Sequence, residues 1–306
     1  MGFLNRGGPK EGRDERDQRE RRQREDIQRI AAGGIPTAAE ERLRTLGAEA
    51  GQAFTSDLSV PEFGLVRRAG LEPITQVLGS SVYHVGWQFM GGGWYSTSQE
   101  LTVLSDAYND CRRRALARLQ VEAELAGADA VVGLRVTAAR YEWGSDLIEF
   151  QAIGTAVRAP SLRTPAGPAL TNLSGQDCAL LLEAGHRPCG IVGATSVYFG
   201  TLYTWSQPIP ASSWGGWANV EMVGATETWY AARHRVLQML TADARALGAG
   251  GMVETRWVQE ERPYETGDRL AGVTYIIHAL ATAIAPDGGT PHPDITTVLT
   301  LSKETG

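Results

Sequence analysis

Three side chains in the second half of the chain have the residue types and spacing of a soft-metal site. They are Cys178, His186 and Cys189. Thiolate and imidazole groups are the ligands that soft divalent metals prefer, so these residues are the candidate ligands for a soft metal ion. Cysteine is also among the most frequently buried residue types, and structural burial is the favoured interpretation of both thiols.

A second group of residues suited to binding is aromatic and lies in two Gly-rich segments. The members are Trp87, Trp94, Tyr95, Trp205, Trp214 and Trp217. Because large aromatic rings in such loops are costly to expose, they should cover either a neighbouring subunit or a flat ligand. The subunit is favoured, since closed rings of subunits commonly bury such patches.

Residue combinations typical of enzymes are missing from the sequence. No pairing of Cys, His and an acid recurs along the chain, and there is no P-loop or dinucleotide fingerprint. His84, His234 and His278 have no partner that the sequence identifies, so satisfied or exposed histidines are the favoured interpretation. We therefore expect a protein that is not an enzyme.

Composition places the chain among ordinary soluble proteins. It has 306 residues, of which 42% are apolar and 21% charged, enough for two domains with cores. The net charge of −6 argues against nucleic acid as a partner. Three cysteines indicate a reducing compartment, and neither a signal core nor a run of ~18 apolar residues is present. These features predict a cytoplasmic protein with no membrane association.

The chain contains an internal duplication. A helical pattern that ends at Gly127 and continues into a β-branched strand is repeated at Gly248, an offset of 121 (248 − 127). Upstream, a helix start at Ser59 is repeated at Ser174, an offset of 115 (174 − 59). Agreement at several positions makes a chance similarity improbable. The offset of 115 also identifies the counterparts of the candidate metal ligands in the first copy. These counterparts are all apolar, namely Phe63, Leu71 and Ile74.

Each copy has the pattern of a strand, a long helix and a hairpin of two strands. The predicted fold is α+β, with two tandem β-α-β-β two-layer domains in which one sheet is covered on one face by the long helix. Apolar residues of the first long helix form one stripe. The arginines Arg112, Arg113, Arg114 and Arg118 are expected to face outward.

Segments outside the copies complete the predicted organisation. Residues 1–34 form a charged arm, helical or disordered, and residues 35–55 a short helix and linker. Domain 1 spans 56–158, a Pro-rich linker 159–172, and domain 2 173–286. The tail, 287–306, contains the strand-like peptide 295–301, which could pair with a sheet edge of this or another protein; a frayed terminus is the alternative.

The segment from Leu125 to Gly133, followed by a hairpin and Gly154-Thr155-Ala156-Val157, resembles the YbjQ-like heavy-metal-binding family. The resemblance covers most of each copy, and it is closer in the first. The residues that define the repeat structurally are Gly127, Asp129, Gly133, Gly154 and Gly248. The second copy departs from the pattern at Gly250, Glu254 and Ala281.

The resemblance implies a unit related in fold to dodecins that assembles as a homo-oligomeric ring, typically a pentamer, and the family name suggests metal binding. The predicted function is a non-enzymatic oligomeric binding protein with two YbjQ-like domains. The alternative is a binder of a flat small molecule stacked between loop tryptophans in a dodecin-like assembly.

Overall fold

The computed structural model describes residues 13–48, 55–85, 98–140, 147–201, 221–266 and 269–287. Two helices, α1 (Arg13–Ala31) and α2 (Thr37–Ala48), precede the sheets. The charged helix α1 is largely exposed, whereas Leu43 of α2 is fully buried. None of the helices within these ranges is both long enough and apolar enough to cross a bilayer.

The remaining elements fall into two series of similar order. The first series comprises α3 (Val60–Arg68), β1 (Glu72–His84), β2 (Gln99–Glu100), α4 (Thr102–Leu125), β3 (Ala130–Arg140) and β4 (Leu147–Arg158). The second comprises β5 (Ala169–Leu170), α5 (Gly175–Glu183), β6 (His186–Thr201), α6 (Val223–Ala246), β7 (Gly251–Thr266) and β8 (Arg269–Pro286). The strand, helix, strand, strand order expected from the sequence is therefore present in both series.

The strands form two four-stranded sheets with equivalent connections. The first sheet has the order β1-β4-β3-β5 and the second has the order β2-β6-β8-β7. In the first sheet β4 lies between β1 and β3, and in the second sheet β8 lies between β6 and β7. Both central strands are antiparallel to their two neighbours. The architecture is accordingly mixed α+β.

Local sequence signals set the ends of the short helices. Ser59 caps α3 in a capping box, because its hydroxyl accepts from the Glu62 backbone N–H while the Glu62 carboxylate accepts from the Ser59 N–H. Ser174 accepts from the Asp177 N–H in the same way at the start of α5. The helix starts predicted at these two serines are confirmed.

The long helix α4 packs against both sheets, whereas α6 packs against the second sheet. One apolar cluster joins Tyr108 and Cys111 of α4 to Phe150 of the first sheet and to Val197 and Ile276 of the second. A separate cluster packs α6 on the opposite face of the second sheet. The expectation that each sheet is covered on one face only is therefore wrong for the second sheet, which is covered on both.

The two halves also exchange strands. The short strand β2 precedes α4 in the first series, yet it pairs with β6 of the second sheet, Gln99 opposite Phe199. The segment expected to be a Pro-rich linker is built into the first sheet, because β5 pairs in parallel with β3. Leu162 and Ala169 of this segment are almost completely buried. The segment 159–172 is thus anchored to the first half by its buried residues rather than being a free spacer.

Candidate functional site

The structure does not bring the three candidate metal ligands together. Cys178 on α5 is fully buried among apolar residues that include Val66 and Leu71, whereas Cys189 on β6 packs against the cluster beneath α6. The Nδ1 atom of His186 lies 3.0 Å from the backbone oxygen of Ala184. Among the described residues no group of three or more His, Cys, Asp or Glu side chains could hold a metal ion.

The state of the thiols also fits metal binding poorly. Burial raises the pKa of Cys178 to about 11 and raises the pKa of Cys189 as well, which disfavours the thiolate that a metal requires. Cys111, interpreted from the sequence as a core residue, is fully buried, and its Sγ donates to the Ser81 backbone oxygen. All three cysteines are free thiols in separate apolar surroundings.

The aromatic residues proposed to cover a ligand or a subunit lie outside the residues that the structure describes. They are Trp87, Trp94, Tyr95, Trp205, Trp214 and Trp217. Their role in an interface or in stacking a flat ligand remains a prediction.

Gly127 and Gly248 end the two long helices in the same way. Both have a φ of +70°, a backbone conformation that glycine adopts at little cost. After each glycine, the next N–H bonds back to the last turn of the helix: Ala128 to the Ala123 oxygen and Ala249 to the Ala244 oxygen. These glycines redirect the chain from helix to strand.

Asp129 and Gly154 fix the start of the first hairpin. The Asp129 carboxylate accepts from the Ala159 backbone N–H at 2.9 Å, which ties the beginning of β3 to the end of β4. A Cβ atom on Gly154 would lie 2.6 Å from Cγ1 of Val131, so this strand position has no room for a side chain. Both residues have structural roles.

A bulge interrupts the hairpin at an equivalent place in each sheet. The register of β3 shifts between Val132 and Arg135, and that of β7 shifts between Val253 and Arg256. Gly133 lies within the first bulge with a φ of +63°. Its N–H donates to the oxygen of Leu173 from the second half, so the bulge also joins the halves.

The sequence predicts that Arg112 of α4 faces outward, and this prediction is wrong. The side chain lies between the sheets with 5% of its surface exposed. Its Nη1 donates to Oγ1 of Thr195 at 2.8 Å and its Nη2 to Oδ1 of Asn109 at 2.7 Å. The Nη2 group also donates to the backbone oxygen of Gly193. Burial lowers the pKa of Arg112 to about 10, so the side chain stays charged at neutral pH.

A buried hydrogen-bond chain continues from Arg112 to His278. The Thr195 hydroxyl lies 2.9 Å from Nδ1 of His278. The Thr195 hydroxyl donates in this bond when the imidazole proton is on Nε2, and Nδ1 donates when the proton is on Nδ1. Burial, followed by the charge of Arg112, lowers the pKa of His278 to about 4, so the ring is neutral near pH 7.

This chain of polar groups faces a cavity of about 420 Å³ beside α4, called here the inter-sheet cavity. Apolar side chains from both sheets form most of its wall, namely Leu134, Val136, Ala138, Phe150, Val258 and Leu280. Arg112, Thr195 and His278 supply its polar end. A concave, mostly apolar space with a few converging polar groups is typical of a small-molecule site.

Periodicity did not reveal this site. Arg112 falls outside the apolar stripe of α4, and Thr195 and His278 lie on strands without a motif. The available signal is the small residue Gly193, where a Cβ atom would lie 2.8 Å from Nε of Arg112. That signal has meaning only once the second sheet is known to pack on α4.

Comparison with known proteins gives a family and several relatives. The family model described as "Putative heavy-metal-binding", YbjQ, matches residues 77–160. The chain is 37% identical over 229 residues to "Encapsulin nanocompartment protein Rv1762c" of Mycobacterium tuberculosis, covering 73% of this chain and 83% of the relative.

Two shorter relatives are similar as well. The chain is 33% identical over 95 residues to a UPF0145 protein of Alkaliphilus metalliredigens, covering 30% of this chain and 90% of the relative. It is 38% identical over 90 residues to a UPF0145 protein of Psychrobacter arcticus, covering 29% and 56%. No solved structure matches the chain significantly.

Proposed function

The chain belongs to the YbjQ-like family of UPF0145 proteins, and on this basis we propose that it is a non-enzymatic, oligomeric component of an encapsulin nanocompartment. The observation that carries the proposal is the 37% identity to a protein of that name across 73% of this chain. Similarity of that extent covers far more than one family unit. The shared part is therefore longer than the YbjQ-like segment 77–160 alone.

We also propose that the second half is a YbjQ-like unit, which makes the chain a tandem member of the family. The family model covers the first half only. Support for the tandem comes from the equivalent strand orders, from the bulges at offset positions and from the matching helix ends at Gly127 and Gly248. In this proposal the units correspond to residues 56–158 and 173–286.

The proposed assembly is a ring of identical subunits, with a pentamer as the form typical of the family. Leu78 and Val82, on the face of the first sheet turned away from α4, are 44% and 53% exposed. On the edge strand β7, Trp257 and Val258 are 40% and 57% exposed. Apolar residues on an exposed sheet face and an edge strand favour association with another chain.

A non-enzymatic role is supported by the polar groups around the inter-sheet cavity. The Thr195 hydroxyl, which lies beside His278, has no exposed surface and already accepts from Arg112. It is therefore poorly placed to act as a nucleophile. The proposed location is the cytoplasm, on the basis of the small number of cysteines.

We assign the contact with the nanocompartment to the tail, residues 287–306, whose peptide 295–301 is rich in the β-branched residues typical of strands. The test is co-expression of the full chain with an encapsulin shell protein, followed by sedimentation and electron microscopy. We expect the chain to sediment with the shell and a variant ending at Asp287 to remain a free oligomer. A full-length chain that never sediments with the shell would refute the proposal.

A further inference from the structure

We propose that a cleft beside the first two turns of α6, called here the aromatic cleft, binds a small organic cation of the quaternary ammonium type. The cleft has a volume of about 800 Å³, which is in the usual range for a small-molecule site. Neither the family nor the nanocompartment role assigns a ligand to it. Its wall includes Trp229, Tyr230, Glu261, Pro263, Val273 and Tyr275.

The second sheet and α6 each supply one side of the aromatic cleft. On the sheet, Glu261 of β7 lies opposite Tyr275 of β8 in the antiparallel register. Side chains alternate along a strand, so Glu261 is on the same face of β7 as Gln259. That face is turned towards α6, because Oε1 of Gln259 accepts from Nε1 of Trp229. Trp229 and Tyr230 of α6 therefore lie across the cleft from the pair of Glu261 and Tyr275.

The rings on the helix side form a cluster that already binds a cation of the protein itself. Trp229 and Tyr230 stand edge to face, with their ring centroids 5.1 Å apart. The guanidinium of Arg233, which is not among the described residues of the wall, lies 6.0 Å from the centroid of the Trp229 ring. It also lies 5.8 Å from the centroid of Trp257. The faces of these rings thus attract positive charge.

The charge in the aromatic cleft is negative. Glu261 is the one charged side chain among the described residues of the wall. Its carboxylate accepts from Nε2 of Gln259 and forms no ion pair with another described residue. Burial, followed by the charge of Glu261, raises the pKa of Tyr275, so this phenol stays neutral. At the start of α6, Glu221 accepts from Oγ1 of Thr226 at 3.1 Å and offsets the positive end of the helix dipole.

A quaternary ammonium ion matches this wall better than a primary amine or a metal ion. It has no N–H groups to satisfy, so ring faces and one carboxylate suffice to bind it. A primary ammonium group has three donors, and a hard metal ion requires several oxygen ligands. The first half lacks this chemistry, because the counterparts of Tyr230 and Glu261 at the offset of 121 are Asn109 and Arg140. The cation site is therefore specific to the second half.

The binding test compares three probes with one branched skeleton: choline, its neutral isostere 3,3-dimethyl-1-butanol, and the anion 3,3-dimethylbutyrate. Saturation-transfer NMR on the full-length protein should detect choline with a dissociation constant of about 1 mM or lower. The neutral alcohol should bind about fivefold or more weakly, because it lacks the charge that the rings and Glu261 attract. The anion should not bind. Absence of choline binding, or equal affinities for choline and the alcohol, would overturn the proposal.

A pair of glutamate variants locates the site on one face of β7. Glu261→Gln should weaken choline binding about fivefold or more. Glu260→Gln is the matched control, because Glu260 is the adjacent residue and lines the inter-sheet cavity on the other face of the sheet. It makes the same change in net charge and should leave the affinity for choline unchanged. Wild-type affinity in Glu261→Gln, or equal losses in both variants, would refute the assignment.

A third variant tests the contribution of the rings. Tyr230 is 58% exposed, so Tyr230→Leu should fold, as circular dichroism will establish. Leucine keeps an apolar surface but has no π face. The variant should therefore bind choline about threefold or more weakly and bind 3,3-dimethyl-1-butanol with nearly unchanged affinity. Equal losses for the two probes would show that Tyr230 provides apolar contact only, and would overturn the proposed recognition of a cation.

Discussion

Glu254 holds the same left-handed backbone conformation as Gly133, its counterpart in the first bulge (254 − 133 = 121), with φ values of +50° and +63°. It is the one non-glycine residue with a positive φ among the residues that the structure describes. Its backbone oxygen accepts from Nδ2 of Asn172 at 2.7 Å. A contact that crosses from the segment before α5 to β7 thus maintains a conformation that L residues avoid.

Replacing Glu254 with Gly should stabilise the protein by about 1 kcal/mol, because relief of the left-handed strain outweighs the added freedom of the unfolded chain. The lost ion pair with Arg256 is largely exposed and contributes little. The reverse change, Gly133→Ala, should cost about 1 kcal/mol, since a Cβ there meets no atom within 4 Å and strain alone acts. The urea concentration at the unfolding midpoint measures the stability of both variants. A Glu254→Gly variant less stable than the wild type would contradict the proposed backbone strain at Glu254.

No larger residue should be tolerated at Gly79, because α4 leaves no space there for a side chain. A Cβ atom at this position of β1 would lie 2.0 Å from the backbone oxygen of Ala115 on α4. We expect Gly79→Ala to cost more than about 2 kcal/mol, since strand and helix must separate. The control is Gly64→Ala in α3, where a Cβ meets nothing, and which should stabilise by up to ~1 kcal/mol. Equal stability of both variants would mean that β1 and α4 are not in close contact.

His278 should make stability fall as the pH decreases from about 6.5 to 4. Its pKa is about 4 in the folded protein against 6.5 for the free side chain, so the unfolded chain binds the proton more readily. The contribution is fully present above pH 6.5 and is lost as the pH falls towards 4; its size is about 3 kcal/mol. The charged groups facing the ring are Arg112 from α4 and Glu260 from β7.

The control for this pH effect is the variant His278→Gln. Its free energy of unfolding should decrease less than that of the wild type between pH 6.5 and 4. Glu122 acts in the opposite direction, because burial raises its pKa and protonation then favours the folded state. Only the difference in unfolding free energy between the wild type and His278→Gln therefore gives the contribution of the histidine. Parallel curves of unfolding free energy against pH would show that His278 is not buried in the neutral form.

The three thiols should react in a defined order with iodoacetamide at pH 8. Cys189 is partly exposed and should react first. Cys111 and Cys178 have no exposed surface, and burial raises both pKa values, so they should react only on unfolding. Cys189→Ser should remove the early reaction and leave the slow ones. Mass spectrometry identifies the modified residues, and early modification of Cys178 would contradict its placement in the core.

Features with a local cause could be predicted from the sequence. A serine cap with an acid three residues later marks the start of a helix, as at Ser59 and Ser174. Glycine after a long helical stripe marks the turn to a strand, as at Gly127 and Gly248. The order of elements in each half followed from these signals, and so did the family resemblance.

The stacking of the halves could not be predicted in this way. Periodicity identifies one apolar stripe on α4, but the flank of the helix next to that stripe is also buried, and it is polar. Asn109 and Arg112 reach backbone oxygens of the second sheet, and Ser105 accepts from the Val197 N–H. Polar residues that satisfy a distant backbone look like solvent-exposed residues in the sequence. The polar end of the inter-sheet cavity was missed for the same reason.

That polar flank of α4 bears on how the protein is made. A ribosome that has released only the first half leaves Ser105, Asn109 and Arg112 facing water, which hydrates these polar groups until their partners on β6 are made. When the later strands emerge, the same three side chains provide hydrogen-bond groups that select the correct sheet register.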